Sequence, residues 1–155
     1  MTLNMIRKRI QDICEAHLQI NTFVYARVDD FFASDAVFPG AFLKEFTNES
    51  GQKGLTVIMG EIFFLDRVIH GGAESDNTFN QDEVVSDMRE VAKDIFAQMR
   101  YQKFDPSWNV SEDFSIEFQT ETDPDFLAGA KLSFSIRQGF NSDRCQVPTN
   151  FDYNA

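Results

Sequence analysis

Leu55-Thr56-Val57-Ile58-Met59-Gly60-Glu61-Ile62-Phe63-Phe64-Leu65-Asp66-Arg67-Val68 is the stretch that decides the fold. It is rich in β-branched and aromatic residues, which favour a pleated, packed strand. Both of its faces are apolar. One carries Leu55, Val57, Met59, Phe63 and Leu65, the other Ile58, Ile62 and Phe64. A strand apolar on both sides is either central and doubly covered, or turns its second face to another subunit. Ile58, Ile62 and Phe64 are expected on that outer, partner-facing side. Gly60 marks a bulge or a close backbone approach. Glu61 interrupts the run, which is too short to cross a bilayer.

Upstream, Thr2 is a plausible N-cap, and Ile6, Ile10, Ile13, Cys14 and His17 recur at helical spacing with polar residues between them. This predicts an amphipathic helix over Leu3 to His17. Thr22 to Arg27 alternates as a short strand. Asp29 to Gly40 reads as a loop closed by the turn signal Val37-Phe38-Pro39-Gly40. Ala41 to Thr47 reads as a strand, and Asn48 to Gly54 as a flexible tip.

Downstream, His70 to Asn80 is rich in Gly, Ser, Asn and Asp and reads as a loop. Asn80 is the expected N-cap of a second helix, with Asp82 and Glu83 in its first turn, where the helix dipole favours acids. Val84, Val85, Met88, Val91, Ala92, Ile95, Phe96 and Met99 form its apolar stripe. Arg100 and Lys103 lie near its end, and Asp105-Pro106 stops it. Phe114, Ile116 and Phe118, then Leu132, Phe134 and Ile136, alternate with polar residues as two half-solvated strands. The link between these strands holds Asp123-Pro124-Asp125 and Gly129.

The expected fold is α+β: a mainly antiparallel sheet with two amphipathic helices packed on one face. Residues 1–138 form a single domain and 139–155 a C-terminal arm.

The chain has 155 residues, and 43% are hydrophobic and 25% charged. A domain of this length buries roughly 70% of the surface its unfolded chain exposes, so it needs neither disulfides nor a metal. Seventeen Phe in one small domain point to aromatic surface serving a partner as well as a core. A formal net charge of −11 argues against gripping phosphate backbones or an anionic membrane. Cys14 and Cys145 show no CxxC or Cys/His spacing, and read as reduced thiols of a protein made in the cytosol. No signal peptide is evident behind Met1 to Arg9.

No P-loop, GxGxxG, GxSxG or HExxH is present, so no enzyme activity and no cofactor are expected. His17 reads as a core-edge or capping residue rather than a general base, and His70 as a surface residue. Asp29, Asp30 and Asp35, and separately Asp123 and Asp125, lack the regular spacing of a calcium loop and read as solvated acids, with no metal. Trp108 either anchors an interface or packs over the end of the second helix.

One set of residues goes beyond composition. His17-Leu18-Gln19-Ile20-Asn21-Thr22-Phe23 follows the first helix, Asp66-Arg67 ends the long strand, and Ser86-Asp87 lies in the opening of the second helix. Asp125 to Gly129 precedes the last strand, and Asp143-Arg144-Cys145-Gln146-Val147-Pro148 follows it. In this order and spacing the chain resembles tail or neck structural proteins of tailed phages of Bacteroidetes, including crAss-like phages. Where those sequences carry Tyr-Pro followed closely by Trp, this chain has Phe38-Pro39 and then Phe42.

The resemblance implies a tail-terminator-like or tail-completion fold in a homo-oligomeric ring. That ring would join the portal side to the tail around the DNA channel, in a virion assembled in the host bacterial cytoplasm. Its partners would be other copies and neighbouring portal, neck and tail proteins, with no specific nucleic-acid binding and no membrane. Ile58, Ile62, Phe64, Trp108, Phe140 and Phe151 are the expected interface residues. The competing expectation is a small cytosolic protein-binding or regulatory domain that acts by strand addition.

Overall fold

A computed structural model of the chain describes residues 2–30, 37–68, 77–101, 108–122 and 127–139. Among the described residues seven strands form one mixed sheet, and two α-helices pack on one of its faces. The α+β class expected from the sequence is the one observed.

Helix α1 spans Leu3–Ala16. Thr2 caps it, its hydroxyl accepting from the Met5 N–H at 3.3 Å, which satisfies one of the helix's orphan donors. Ile6, Ile10, Ile13 and Cys14 are its buried face, as the spacing predicts. Strand β1 (Thr22–Ala26) follows, then a short 3₁₀ turn at Val28–Asp30. Strand β2 (Gly40–Lys44) pairs with β1 in parallel, and the Phe38-Pro39 bond before it is cis.

The expected flexible tip at Asn48 to Gly54 is instead mostly strand. β3 (Glu49–Gln52) pairs antiparallel with the start of the long strand β4 (Leu55–Arg67). Lys53 (φ 50°) and Gly54 (φ 78°) turn the chain between them. Positive φ at both central residues is the geometry whose twist matches a two-residue hairpin. The polar residues of β3 belong to a strand because the backbone ladder, not an apolar face, holds it.

Helix α2 runs over Asn77–Tyr101. It therefore starts before Asn80, which lies inside the helix and is not its cap. Val84, Met88, Val91, Ala92, Ile95, Phe96 and Met99 are its buried stripe. Beyond it come β5 (Asn109–Val110), β6 (Ser115–Thr122) and β7 (Leu127–Gly139). The last strand begins earlier than the alternation suggested, so Gly129 is strand and not linker.

β4 and β7 are the two central strands, paired antiparallel from Leu55↔Gly139 to Arg67↔Leu127. The other edge of β4 carries β2 at one end and β3 at the other. The other edge of β7 carries β6 and β5 in the same way. The register stays continuous through Gly60, so there is no bulge there; the ring of Phe134, directly opposite, occupies the place a side chain would take. At Gly129 a Cβ would run into the carbonyl of Phe64, a backbone atom that cannot swing aside.

Directly paired residues share a face, so the register sorts the sheet. The inner face presents Ile58, Ile62 and Phe64 from β4, and Ala128, Ala130, Leu132, Phe134 and Ile136 from β7. These join the buried stripes of α1 and α2 in one core.

Candidate interaction surface

The inner-face assignment corrects the expected interface. Ile58 is 2% exposed, and Ile62 and Phe64 are fully buried. They fill the space under the helices and offer nothing to a partner. Trp108 is likewise interior. Its indole N–H donates to the Met99 carbonyl at 2.8 Å, and the Arg9 guanidinium lies 5.1 Å from its ring centre. It satisfies a carbonyl in the last turn of α2, where helices leave acceptors orphaned, so of its two expected roles the structure shows packing at the helix end. Phe140 and Phe151 lie outside the described residues, as do His70, Lys103, Asp35, Asp123, Asp125 and Cys145.

Among the described residues, no helix packs on the opposite face. It presents Val24 from β1, Phe42 and Lys44 from β2, Leu55, Val57, Met59, Glu61, Phe63 and Leu65 from β4, and Lys131, Ser133, Ser135 and Arg137 from β7. β6 adds Ser115, Glu117 and Gln119. The surface has three zones.

At one end Phe42 and Leu65 are buried beneath Val24, Ala26, Phe38 and Phe63 in a small second cluster. The Phe38 and Phe42 rings lie 5.9 Å apart, and the Arg67 guanidinium sits 5.3 Å from the Phe38 ring centre.

Across the middle runs a ladder of alternating charge over four strands. Lys44 Nζ lies 3.4 Å from Glu61, Lys131 Nζ 3.9 Å from the other Glu61 oxygen, and Lys131 Nζ 2.8 Å from Glu117. The hydrogen bond from Lys131 and its positive charge hold the Glu117 carboxyl below the usual carboxylate range. The same bond raises Lys131. At the far end Leu55 (41% exposed), Val57 and Met59 (59% exposed) form an apolar strip.

A concavity lies between the helices. It is a groove of about 830 Å³ lined by Met5, Lys8, Asp12, Ile13, His17 and Asp94, among others. His17 is the C-cap of α1, as the sequence reading had it. The Gln19 N–H donates to its Nδ1 at 3.1 Å, so Nε2 carries the ring proton and donates to Asp94 at 3.0 Å. The Nδ1 contact thus closes the turn that follows α1, and the Nε2 contact ties this end of α1 to α2. Cys14 is buried, and burial first, then the neighbouring Glu15 charge, push its thiol up to about 12. A thiol so far from ionising is a packing group and not a nucleophile. Among the described residues no cluster of His, Cys, Asp or Glu is placed to hold a metal ion, and no helix is long and apolar enough to cross a membrane.

The long strand lies where its composition predicts, but its outer side is the one that carries Met59 and Phe63, not the one that carries Ile62 and Phe64. The signal was present: Glu61 shares its parity with Met59 and Phe63, and an acid at that parity marks the side that meets water. No protein-family model matches the chain, and no curated protein matches it.

Proposed function

We propose that the chain is a structural subunit of a phage neck or tail ring, of the tail completion or terminator kind, which joins the portal side to the tail around the DNA channel. In this reading it is made in the bacterial cytoplasm, ends in the virion, binds other copies of itself and neighbouring neck or tail proteins, and performs no chemistry. The observation that supports it best is the outer sheet face, which among the described residues carries no helix, with Leu55 and Met59 exposed at one end and a charge ladder across its middle. Such a surface combines apolar contact area with charges that fix register against a neighbour. A heterologous contact of this sort closes into a ring when its rotation closes. The net charge of −11 suits a channel that DNA must traverse without being held.

A second reading is favoured by one edge of the sheet. β6 pairs only with β7 among the described strands, and Phe114 and Phe118, beside that edge, are about half exposed. An edge of this kind suits a protein-binding domain that accepts a partner's strand.

The test is mass analysis of the purified protein across concentration, with negative-stain imaging of the same samples and a search for the chain in purified phage particles. Rings, or a fixed copy number per particle, are the expected results. A monomer at every concentration that is also absent from particles rejects the ring and leaves the strand-addition reading.

A further inference from the structure

We propose that a second copy of this chain, set beside the first in the same orientation, pairs its β1 with the edge of β6, so that the sheet continues from copy to copy. Among the described residues β1 pairs only with β2, and β6 only with β7. Strand direction is the first ground. β1 runs parallel to β2, β2 antiparallel to β4, β4 antiparallel to β7, and β7 antiparallel to β6. β1 and β6 therefore run in opposite directions, and a copy in the same orientation brings its β1 antiparallel to β6. Register is the second ground. Phe23 pairs with Ala41, Ala41 with Phe64, Phe64 with Ala130, and Ala130 with Phe118, so one rung crosses the whole sheet. The rungs beside it join Thr22 to Gln119, Val24 to Glu117 and Tyr25 to Ile116 in the same way. Copies set side by side without slip along the strands thus bring Phe118 of one opposite Phe23 of the next.

That register is also the chemically matched one. On the helix side Phe118 meets Phe23 and Ile116 meets Tyr25, cross-strand pairs of the aromatic and β-branched kind that stabilise a sheet. On the outer side Gln119 meets Thr22 and Glu117 meets Val24, so no like charges face each other. Edge strands of natural proteins carry charges, Pro or bulges that keep foreign strands away. β1 (Thr-Phe-Val-Tyr-Ala) has no charge and no Pro, and all five of its residues are only partly buried. Phe118 is about half exposed, and the Glu117 charge is taken up by Lys131. The register shift in β6 lies beyond Gln119, outside the paired stretch. The contact rests on the strand-accepting edge of β6 and gives it an occupant that serves the ring reading, another copy joined head to tail. It leaves Leu55, Val57 and Met59 open to a neighbour.

The next rung sets Ala26 opposite Ser115 of the adjoining copy, and directly opposed strand residues lie within disulfide reach. The test uses the full-length chain carrying Cys145→Ser; Cys14 is fully buried. One preparation adds Ala26→Cys and another Ser115→Cys, both small changes, with folding checked by circular dichroism. After oxidation with copper phenanthroline, the mixture is expected to give a disulfide-linked dimer on a non-reducing gel, and each preparation alone is not. A chain carrying both substitutions is expected to give a ladder of higher oligomers. Adding Phe118→Lys, at an exposed position, is expected to lower the dimer yield several-fold. A dimer from the Ser115→Cys preparation alone means two-fold β6 pairing and overturns the proposal. So does a mixture that gives no dimer, or no more than Ser115→Cys mixed with a Leu18→Cys control, whose site is exposed beside α1. So does a yield that Phe118→Lys leaves unchanged. Edge cross-links from a chain absent from phage particles reject the virion reading alone, and a chain found in particles that forms no edge cross-links rejects this contact alone.

Discussion

The two faces of the sheet are built from the same strands and meet opposite demands. On the inner face β4 and β7 present apolar side chains at every rung from Ile58↔Ile136 to Phe64↔Ala130, with Gly60 opposite Phe134, and nearly all of it is buried. On the outer face the same strands carry a mixture of apolar, small polar and charged residues, and Glu61 and Lys131 pair across strands with Lys44, Glu117 and each other. The inner face carries the stability of the fold. Away from the buried Phe42–Leu65 cluster the outer face adds little to it, because partly solvated ion pairs contribute little and exposed apolar groups contribute nothing until covered. What the outer face supplies is a pattern, and a pattern is what a partner reads.

The largest expected effect separates the faces most sharply. Ile62→Asp places a charge in the core and is expected to cost about 4 kcal/mol or more, leaving no cooperative thermal transition by circular dichroism. Met59→Asp, three residues away on the other side, is expected to stay within about 0.5 kcal/mol of wild type while weakening assembly. If both variants unfold, the distinction between the faces is wrong.

Gly129→Ala comes next, at about 3 kcal/mol in urea unfolding, since its new methyl meets the Phe64 backbone. Trp108→Phe keeps the packing but leaves the Met99 carbonyl without its donor, and about 1 kcal/mol is expected from the same measurement.

The smallest effect belongs to the ladder and appears as a pH slope. The folded Glu117 carboxyl titrates below its ordinary value of 4.5 because of Lys131. Its contribution is therefore complete above that value and is lost as pH falls through the lower folded value. In Glu117→Gln this part of the acid-induced loss is expected to vanish, seen by comparing urea midpoints at about pH 6 and about pH 3. An unchanged slope would show that the pair is solvated away.

Much of the inner face was legible in the sequence. The spacing of Ile6, Ile10 and Ile13, the stripe from Val84 to Met99 and the alternation through Leu132, Phe134 and Ile136 each name residues that are buried. Periodicity reports burial against the chain's own core, and these elements have one buried side. The outer face was misjudged because β4 is apolar at both parities, and periodicity alone cannot say which side the helices cover. β3 and β5 were missed because they are held by backbone ladders, and Asn48 to Gly54 has the polar composition of a loop. The start of α2 lies earlier than expected because Asn77, Thr78 and Asn80 are residue types that favour turns and caps, and their composition gives no helical stripe. The charge ladder joins residues on four strands, and only their register brings Lys44, Glu61, Lys131 and Glu117 together.

The pairing of β4 with β7 also sets the order of events during synthesis. Every rung joins a residue made before α2 to one made after it. As the chain leaves the ribosome, β4 can close its hairpin with β3 at once, but its other edge stays open until residues 127–139 are translated. Contacts between such distant parts of a chain form slowly, and an apolar strand with an open edge invites pairing with other chains. A ribosome stalled between α2 and β7 would hold this protein at its most aggregation-prone point, and completing the last strand is what ends that exposure.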